Sequence, residues 1–242
     1  LMRQSADTIK KLSLELGGNA PFIVFDDADL DAAADGLMMC KYRNAGQTCV
    51  TANRIYVQAG VYDAFAEKLK ARMGKLKVGR GTDEGVSVGP LIDEAGLAKV
   101  EAHLQDAVAK GAKVEVGGKR HALGGRFFEP TVITNVPVSA KVSKEETFGP
   151  IAPLIKFENE KEVIDRANDS EFGLAAYFFA RDIGRVFRVA EALESGMVAV
   201  NTGILSNEVA PFGGVKQSGL GREGSKYGME DFLEIKYVCL GV

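Results

Sequence analysis

Two residues of the chain have side chains and surroundings suited to chemistry, a cysteine and a glutamate. Cys49 follows the small and polar residues Asn44–Thr48, between a predicted helix and a predicted strand, and so lies in a loop. Loops concentrate functional residues, and a loop thiolate can act as a nucleophile, although a loop cysteine can equally be a small packing residue. Glu15, between Leu14 and Leu16, is either a solvated strand residue or a desolvated carboxylate with a raised pKa that acts as a general base.

The other cysteines and the histidines narrow the kinds of site that are expected. The chain has three cysteines, Cys40, Cys49 and Cys239, without a CxxC spacing, which favours neither a disulfide framework nor a zinc site. Cys40 lies on the apolar face of a predicted helix and is expected in the core. The two histidines, His103 and His121, form no metal-binding motif, and neither is near Cys49 in sequence. We therefore expect no metal, no papain-like Cys–His dyad and a reducing compartment.

Two glycine motifs could suggest nucleotide binding, but their contexts argue against it. Gly219, Gly221 and Gly224 form a GxGxxG pattern, which binds dinucleotides only when it follows a strand and opens a helix. The residues before it are turn-like, so this interpretation is disfavoured. The run Gly117–Lys119 lacks the following Ser or Thr of a phosphate-binding loop, so nucleoside triphosphate hydrolysis has no support.

Apolar β-type runs alternate with helical patterns along the chain, which predicts an α/β fold with a largely parallel sheet. The predicted strands are Pro21–Phe25, Arg54–Gln58, Val114–Val116, Thr131–Ile133, Ile151–Phe157, Ala175–Ala180 and Met197–Asn201. The predicted helices are Asp29–Tyr42, Val61–Leu76, Asp93–Lys110, Glu160–Ala167 and Asp182–Leu193. A last predicted strand, Phe232–Leu240, follows a glycine-rich segment and is expected to pair with another subunit.

Composition excludes several classes of protein. The chain has 242 residues, 46% of them hydrophobic, which is enough for a substantial core. Thirty basic residues against 33 acidic ones, without a block of like charge, argue against a nucleic-acid surface. The longest apolar runs, such as Met197–Val200 and Ile151–Ile155, fall far short of the ~20 residues that cross a bilayer, so no membrane association is expected.

Four motifs in order along nearly the whole chain resemble the aldehyde dehydrogenase superfamily. They are Leu14–Asn19 (LELGGN), Asn44–Cys49 (NAGQTC), Glu145–Pro150 (EETFGP) and Pro211–Gly219 (PFGGVKQSG). Four such motifs together are far more specific than any one alone. The resemblance also assigns the GxGxxG pattern to a segment that follows the active site in that family.

Within the superfamily, the chain looks most like the succinate-semialdehyde dehydrogenases. This closer resemblance rests on Cys40–Cys49, Ser206–Gly214, Gly221–Gly228 and Tyr237–Cys239. By similarity, Arg43 and Ser206 would bind the carboxylate of the substrate. A guanidinium offers a carboxylate two parallel hydrogen bonds, although Arg43 could also be a solvated charge at a helix end.

The resemblance implies a covalent mechanism with NAD(P)+ as cosubstrate. Cys49 would attack the aldehyde to give a thiohemiacetal, and oxidation would leave a thioester that water hydrolyses with Glu15 as the base. The backbone N–H of Cys49 would stabilise the oxyanion. Glu146 would hold the nicotinamide ribose, Phe148 would pack near the nicotinamide ring, and Phe212 would line the substrate tunnel or simply pack.

The resemblance also implies a division of the chain and partners for it. Residues 1–17 would end a coenzyme-binding domain, 18–203 form the catalytic domain, 204–228 follow the active site, and 229–242 form an oligomerisation strand. Family members are dimers or tetramers of about twice this length, and the dinucleotide-binding N-terminal half is absent from this sequence. The isolated chain should therefore bind coenzyme poorly. Some relatives have a redox partner cysteine two residues after the nucleophile, where this chain has Thr51.

Three alternatives remain open at this point. A dehydrogenase for glutarate semialdehyde or for general aliphatic aldehydes would share the same chemistry, since one methylene changes binding by only ~1–3 kcal/mol. A non-catalytic scaffold fragment would retain the site without using it. A thiol hydrolase lacks a histidine partner for Cys49. For the enzyme, a cytoplasmic location in the breakdown of γ-aminobutyrate and a homodimeric or homotetrameric state are expected.

Overall fold

The computed structural model describes residues 1–242 as a twisted sheet with helices packed against it. The chain forms eleven strands, β1 to β11. In order they are Leu14–Glu15, Ala20–Val24, Ala52–Gln58, Lys113–Val116, Thr131–Thr134, Ile151–Phe157, Phe172–Gly173, Ala175–Phe179, Met197–Val200, Val215–Lys216 and Gly219–Leu220.

Seven of these strands form the central sheet, in the order β4-β5-β6-β3-β2-β8-β9. Every neighbouring pair is parallel except β4 with β5 at one edge. Two inner strands, β2 and β8, are apolar along their whole length, and every residue in them is buried. Continuous apolar runs of this kind are typical of a parallel sheet that is covered on both faces.

Seven helices, α1 to α7, connect the strands: Met2–Ser5, Leu30–Tyr42, Tyr62–Met73, Glu94–Ala109, Lys141–Lys144, Glu160–Asn168 and Ile183–Ala192. Four of the longer helices begin at a side-chain cap, in which Asp29, Asp93, Asn159 or Asp182 accepts hydrogen bonds from the first turn. Such a cap satisfies backbone N–H groups that have no partner within the helix. No helix is both long and apolar enough to span a bilayer.

Two short antiparallel ribbons connect residues 215–220 to earlier parts of the chain. In one, β1 pairs with β11, with Glu15 opposite Gly219, and in the other β7 pairs with β10. At Gly219, which has a φ of +127°, an added Cβ would collide with the carbonyl of Leu14. Gly219, the first glycine of the GxGxxG pattern, therefore allows the backbone to approach the strand that carries Glu15. This position is consistent with the prediction that the pattern does not bind a dinucleotide.

All seven strands predicted for the central sheet and all five predicted helices form, with ends that differ by at most three residues. The four two-residue strands were not predicted. The predicted strand Phe232–Leu240 is not confirmed. Tyr227–Phe232 is a 3₁₀ turn, and residues 233–242 pair with no strand of this chain. A strand exists only through its ladder, so this segment cannot be one without a partner. The division at residues 17, 203 and 228 stays a prediction.

Candidate active site

The loop that carries Cys49 begins with an unusual backbone. Helix α2 ends at Tyr42, and Asn44, Ala45 and Gly46 then follow with φ values of 51°, 55° and 74°. Left-handed backbone is rare outside glycine, and its persistence at an alanine indicates that the surrounding packing enforces it. At Gly46 an added Cβ would collide with the carbonyl of Gly149, so only glycine fits.

Side-chain amides hold this loop in place. The Asn44 Nδ2 donates to the Gln47 carbonyl at 3.0 Å, and the Gln47 Nε2 donates back to the Asn44 carbonyl at 3.1 Å. The Gln47 Oε1 also accepts from the Ile92 backbone N–H at 2.8 Å. They add to the backbone bond that the Gln47 N–H donates to the same Asn44 carbonyl at 3.1 Å.

Cys49 lies in a tight turn at the end of the loop. The Thr51 N–H donates to the Thr48 carbonyl at 3.1 Å, and the hydroxyls of the same two threonines are 2.6 Å apart. Cys49 is half-buried between them. Thr51 thus closes the turn around Cys49. As a threonine it has no sulfur with which to form a disulfide to Cys49.

Glu15 and Cys49 face each other, and each shifts the pKa of the other. Burial raises the pKa of Glu15, and the nearby Cys49 thiol opposes this shift in part. Burial, together with the negative charge of Glu15, raises the pKa of Cys49 to about 11. One carboxylate oxygen, the Glu15 Oε1, is buried without a hydrogen-bond partner. The pair is therefore a protonated thiol beside a carboxylate whose pKa is raised above its usual value.

A glycine allows this approach. An added Cβ at Gly18 would collide with the Cys49 carbonyl, and it would meet Leu174 at 3.4 Å. The segment that follows Glu15 therefore packs directly on the backbone of the nucleophile. Glu15 is thus a half-buried strand residue with a raised pKa, and its role as a general base stays a prediction.

The Cys49 loop separates two cavities. The first, of about 310 Å³, is lined by Arg43 and Ser206 and by Thr48 and Val50, the chain neighbours of Cys49, while Cys49 itself lines neither cavity. The rest of its wall is largely apolar: Met38, Met39, Cys40, Tyr42, Leu76, Ser87, Tyr177, Gly203, Ile204 and Leu205. The second, of about 370 Å³, is lined by Asn44, Gln47, Pro90, Leu91, Ile92, Arg126 and Phe148. One loop thus presents residues to both cavities.

The structure brings together the two residues expected to bind a carboxylate. Arg43, the residue that follows the last residue of α2, is exposed, and Ser206 lies in a distant part of the chain, yet both line the first cavity. The other arginines supply the chain's Arg–carboxylate ion pairs, so Arg43 remains available to an anion. Recognition of an anionic group by Arg43 and Ser206 stays a prediction at this point.

The three remaining predicted site residues, Glu146, Phe148 and Phe212, lie in three different environments. Glu146 is half-buried, its Oε1 accepts from the Gly18 N–H at 3.0 Å, and burial raises its pKa. Phe148 has a φ of 56° and lines the second cavity with 38% of its surface exposed. Phe212 lines neither cavity. It bridges to Glu223 and packs against the core, which supports its simpler role in packing.

Sequence reasoning missed two buried basic side chains, Lys41 and Arg54, of which Arg54 donates to three backbone carbonyls. Lys41 is fully buried, its Nζ has no hydrogen-bond partner, and burial lowers its pKa to about 7 against the opposing charge of Glu146. Nothing in its position on α2, next to Cys40, signals this. Cys40 itself is in the core as predicted, where it accepts from the Ala52 N–H at 3.2 Å. No group of three His, Cys, Asp or Glu side chains could hold a metal ion.

Comparison with known proteins gives a consistent picture. Residues 1–238 match the model of the aldehyde dehydrogenase family. The chain is 68% identical over its full length to the succinate-semialdehyde dehydrogenase (NADP(+)) of Escherichia coli, of which it covers 50%. It is 69% identical to the glutarate-semialdehyde dehydrogenase of Pseudomonas aeruginosa and 66% identical to the 3-sulfolactaldehyde dehydrogenase of Pseudomonas putida, again over 50% of each.

The fold matches solved structures equally well. The crystal structure of succinate-semialdehyde dehydrogenase from Burkholderia pseudomallei superimposes with a TM-score of 0.98 and 67% identity, over 100% of this chain and 50% of that one. The chain thus spans about half the length of the curated relatives that it matches.

Proposed function

We propose, since the chain belongs to the aldehyde dehydrogenase family, that it carries the catalytic residues of an enzyme that oxidises succinate semialdehyde to succinate with NAD(P)+. The observation that carries this proposal is the first cavity, where Arg43 and Ser206 meet Thr48 and Val50 on either side of Cys49. An aldehyde held by an anionic group at its far end would present its carbonyl carbon to the thiol.

The relatives support an anionic substrate more firmly than one chain length. Three proteins at 66–69% identity are named for succinate semialdehyde, glutarate semialdehyde and 3-sulfolactaldehyde, each of which has an anionic group. A cavity of about 310 Å³ does not by itself separate these short molecules. Glutarate semialdehyde is therefore the second candidate substrate.

In the proposed reaction, the chain's residues divide the work between covalent capture and hydrolysis. Glu15 takes the thiol proton and Cys49 attacks the carbonyl carbon, with the Cys49 N–H donating to the oxyanion. NAD(P)+ accepts the two electrons when it is bound, which leaves an acyl group on the Cys49 sulfur. Once Glu15 has released the thiol proton to solvent, it takes a proton from the water that attacks this thioester and passes it to the leaving Cys49 sulfur, which releases the acid and the thiol.

The residues on the other side of the loop fit the coenzyme. The half-buried carboxylate of Glu146 offers acceptor oxygens for ribose hydroxyls, and Phe148 offers an apolar surface at the second cavity. The names of relatives include NADP(+), and the choice between NAD+ and NADP+ for this chain stays open. A coenzyme-binding half, as in the longer relatives, would complete the site.

Oligomerisation through the end of the chain is also a proposal. Phe232, Ile235, Tyr237 and Leu240 each have more than four-fifths of their surface exposed. We expect residues 233–242 to add a strand to a second copy, to give a homodimer or homotetramer. Deletion of these residues should lower the molar mass measured by light scattering, and an unchanged mass would refute this assembly.

The substrate proposal is tested by NAD(P)H formation in the longest natural form of the protein that carries this chain. We expect kcat/KM for succinate semialdehyde to exceed that for butanal by at least about tenfold, and Arg43→Ala to abolish the preference, because a charged hydrogen bond is lost. Arg181→Ala, at an exposed ion pair with Asp29, is the matched control.

The remaining outcomes separate the alternatives. A higher kcat/KM with glutarate semialdehyde would make that molecule the substrate. Equal rates with butanal would leave a general aliphatic aldehyde dehydrogenase and make Arg43 a structural charge. Absence of turnover with every aldehyde would favour a non-catalytic scaffold.

A further inference from the structure

Two buried asparagines form a hydrogen-bonded pair beneath the site. Asn19 directly precedes β2 and Asn53 lies in the neighbouring strand β3, with 4% and 2% of their surfaces exposed. The Asn53 Nδ2 donates to the Asn19 Oδ1 at 2.7 Å. The backbone of Asn19 is fixed as well, because its carbonyl accepts from the Arg54 Nε at 2.8 Å.

The remaining hydrogen bonds of the two amides are made with one short segment, residues 144–147. The Asn19 Nδ2 donates to the Lys144 carbonyl at 3.1 Å, and the Asn53 Nδ2 donates to the Glu145 carbonyl at 2.9 Å. The Asn53 Oδ1 accepts from the Thr147 N–H at 3.2 Å. The two amides therefore grip the backbone immediately before and immediately after Glu146.

The same pair also fixes the group that the Glu146 carboxylate contacts. The Glu146 Oε1 accepts from the N–H of Gly18, which is the neighbour of Asn19 in the chain. Both the backbone of Glu146 and its hydrogen-bond donor are thus tied to one rigid unit. In a buried position, removal of either amide would leave backbone groups without partners, which is more damaging than the loss of a surface hydrogen bond.

We propose that Asn19 and Asn53 act together as a positioning pair that aims the Glu146 carboxylate at the coenzyme. They touch neither substrate nor coenzyme. Their proposed effect is to hold Glu146 within the narrow range of positions that binding requires, since errors of about 1 Å can cost much of an enzyme's efficiency. The proposal rests on the coenzyme role given to Glu146 under Proposed function.

The test compares Asn19→Ala and Asn53→Ala in the longest natural form of the protein that carries this chain. The dissociation constant of NADP+ and NAD+ is measured by titration calorimetry without aldehyde, alongside thermal unfolding. Each single variant should bind coenzyme about tenfold more weakly than unmodified protein. The double variant should bind coenzyme no more weakly than the poorer-binding single variant, because the pair acts as a unit. Multiplied effects in the double variant would overturn the pair.

Asn168→Ala is the matched control. Its amide also clamps backbone, with bonds of 2.8 Å to the Ala192 carbonyl and 2.9 Å from the Glu194 N–H, but it does not hold Glu146. It should lower the unfolding temperature while coenzyme affinity stays within about twofold. An equal loss of affinity in this control would show that Asn19 and Asn53 act only through stability. Should Asn53→Ala not fold, Asn19→Ala, which removes only the bonds to Asn53 and to the Lys144 carbonyl, still tests whether loss of the pair weakens coenzyme binding.

A second measurement separates this proposal from the proposed function. Amide hydrogen exchange over residues 144–149 needs neither coenzyme nor aldehyde. Faster exchange there in both variants, with no change over α7, supports a clamp on the Glu146 segment even if the unmodified protein oxidises no aldehyde. Unchanged exchange together with unchanged coenzyme affinity would overturn the proposal while aldehyde oxidation remains intact.

Discussion

Two groups of buried polar side chains lie within a few residues of each other and differ in how well they are satisfied. In the Asn19–Asn53 pair, both Nδ2 groups donate and both Oδ1 atoms accept, over distances of 2.7–3.2 Å. In the second group, the Glu15 Oε1 and the Lys41 Nζ are buried with no partner at all. No other buried side-chain atom of this kind in the chain is left without one.

The difference separates a rigid frame from a reactive centre. A satisfied buried network favours one arrangement of the chain, and so it suits the positioning of other groups. An unsatisfied buried charge is held at a cost in stability and has a shifted pKa, which is the condition that proton transfer near neutral pH requires. Asn19 follows Glu15 by four residues and Asn53 follows Cys49 by four residues, and of the two unsatisfied groups it is Glu15 whose charge raises the pKa of Cys49.

The largest expected effect breaks the reactive group. Glu15→Gln should lower kcat by about 10²–10⁴-fold, because the general base is lost. It should also lower the pKa of Cys49 from about 11, because the nearby negative charge that raises it is removed. Steady-state rates and the pH dependence of iodoacetamide labelling measure the two effects. Glu191→Gln, at an exposed position on α7, is the control, and a Cys49 pKa that does not fall would contradict the coupling.

The next effect removes the other unsatisfied group. Lys41→Met should raise the free energy of unfolding by about 1–4 kcal/mol at pH 7 or below, where a buried ammonium is most costly. The pKa of Lys41 is about 7 in the folded chain, far below that of an unfolded lysine. The unfolded chain therefore holds the extra proton above pH 7, and unmodified protein gains stability there as pH rises.

The variant should lose that gain, so its advantage should shrink between neutral and alkaline pH. Urea unfolding from pH 6 to pH 9 measures the difference. Lys161→Met, at a side chain with 84% of its surface exposed, should change stability by less than about 0.5 kcal/mol. A destabilised Lys41→Met protein would show that the amine has a partner in solution.

A smaller effect tests the contact between Gly18 and the backbone of Cys49. Gly18→Ala should destabilise the fold by about 1–3 kcal/mol and lower kcat, because the new Cβ would displace the Cys49 carbonyl. Gly60→Ala adds a Cβ that meets nothing within 4 Å and serves as the control. Unfolding and turnover are measured on both. Full activity in Gly18→Ala would mean that Cys49 tolerates a shift of its backbone.

The smallest effect concerns His103, which contacts the segment that the asparagine pair holds. His103 is buried, contacts Glu145 at 3.3 Å, and has a pKa lowered by burial and by the charges of Lys99 and Lys141, with Glu145 opposing. The unfolded chain binds this proton more readily, so stability should fall as pH drops below about 6.5. His103→Gln should remove that part of the acid dependence in unfolding curves, with His121→Gln as control. An identical acid dependence in His103→Gln and in unmodified protein would refute it.

Much of the fold was predictable because local patterns and tertiary structure agree. The apolar runs of β2, β6 and β8 have one possible place, the middle of a parallel sheet, and Asp29 marks the start of α2 by its own side-chain chemistry. The two-residue strands were not predictable. Leu14–Glu15 becomes a strand only because Gly219–Leu220 lies beside it, some two hundred residues later in the chain.

The candidate site was predictable in its parts and not in its assembly. Motifs named Cys49, Glu15, Arg43, Ser206, Glu146 and Phe148, and the structure brings Arg43 and Ser206 to one cavity. The same motifs assigned Phe212 a choice of roles that only its packing against the core narrows. Lys41 and Asn53 carry no signal in the sequence, since a lysine or an asparagine is ordinarily solvated.

The sequence by itself determined the family, the alternation of strands and helices, and the kinds of reactive group, because these depend on residue type and short-range spacing. Only the tertiary structure decided which polar atoms are buried, which of them find partners, and which pKa values shift. Those properties depend on the removal of water by residues from distant parts of the chain. Desolvation makes Glu15 basic, and complete hydrogen bonding makes the Asn19–Asn53 pair rigid.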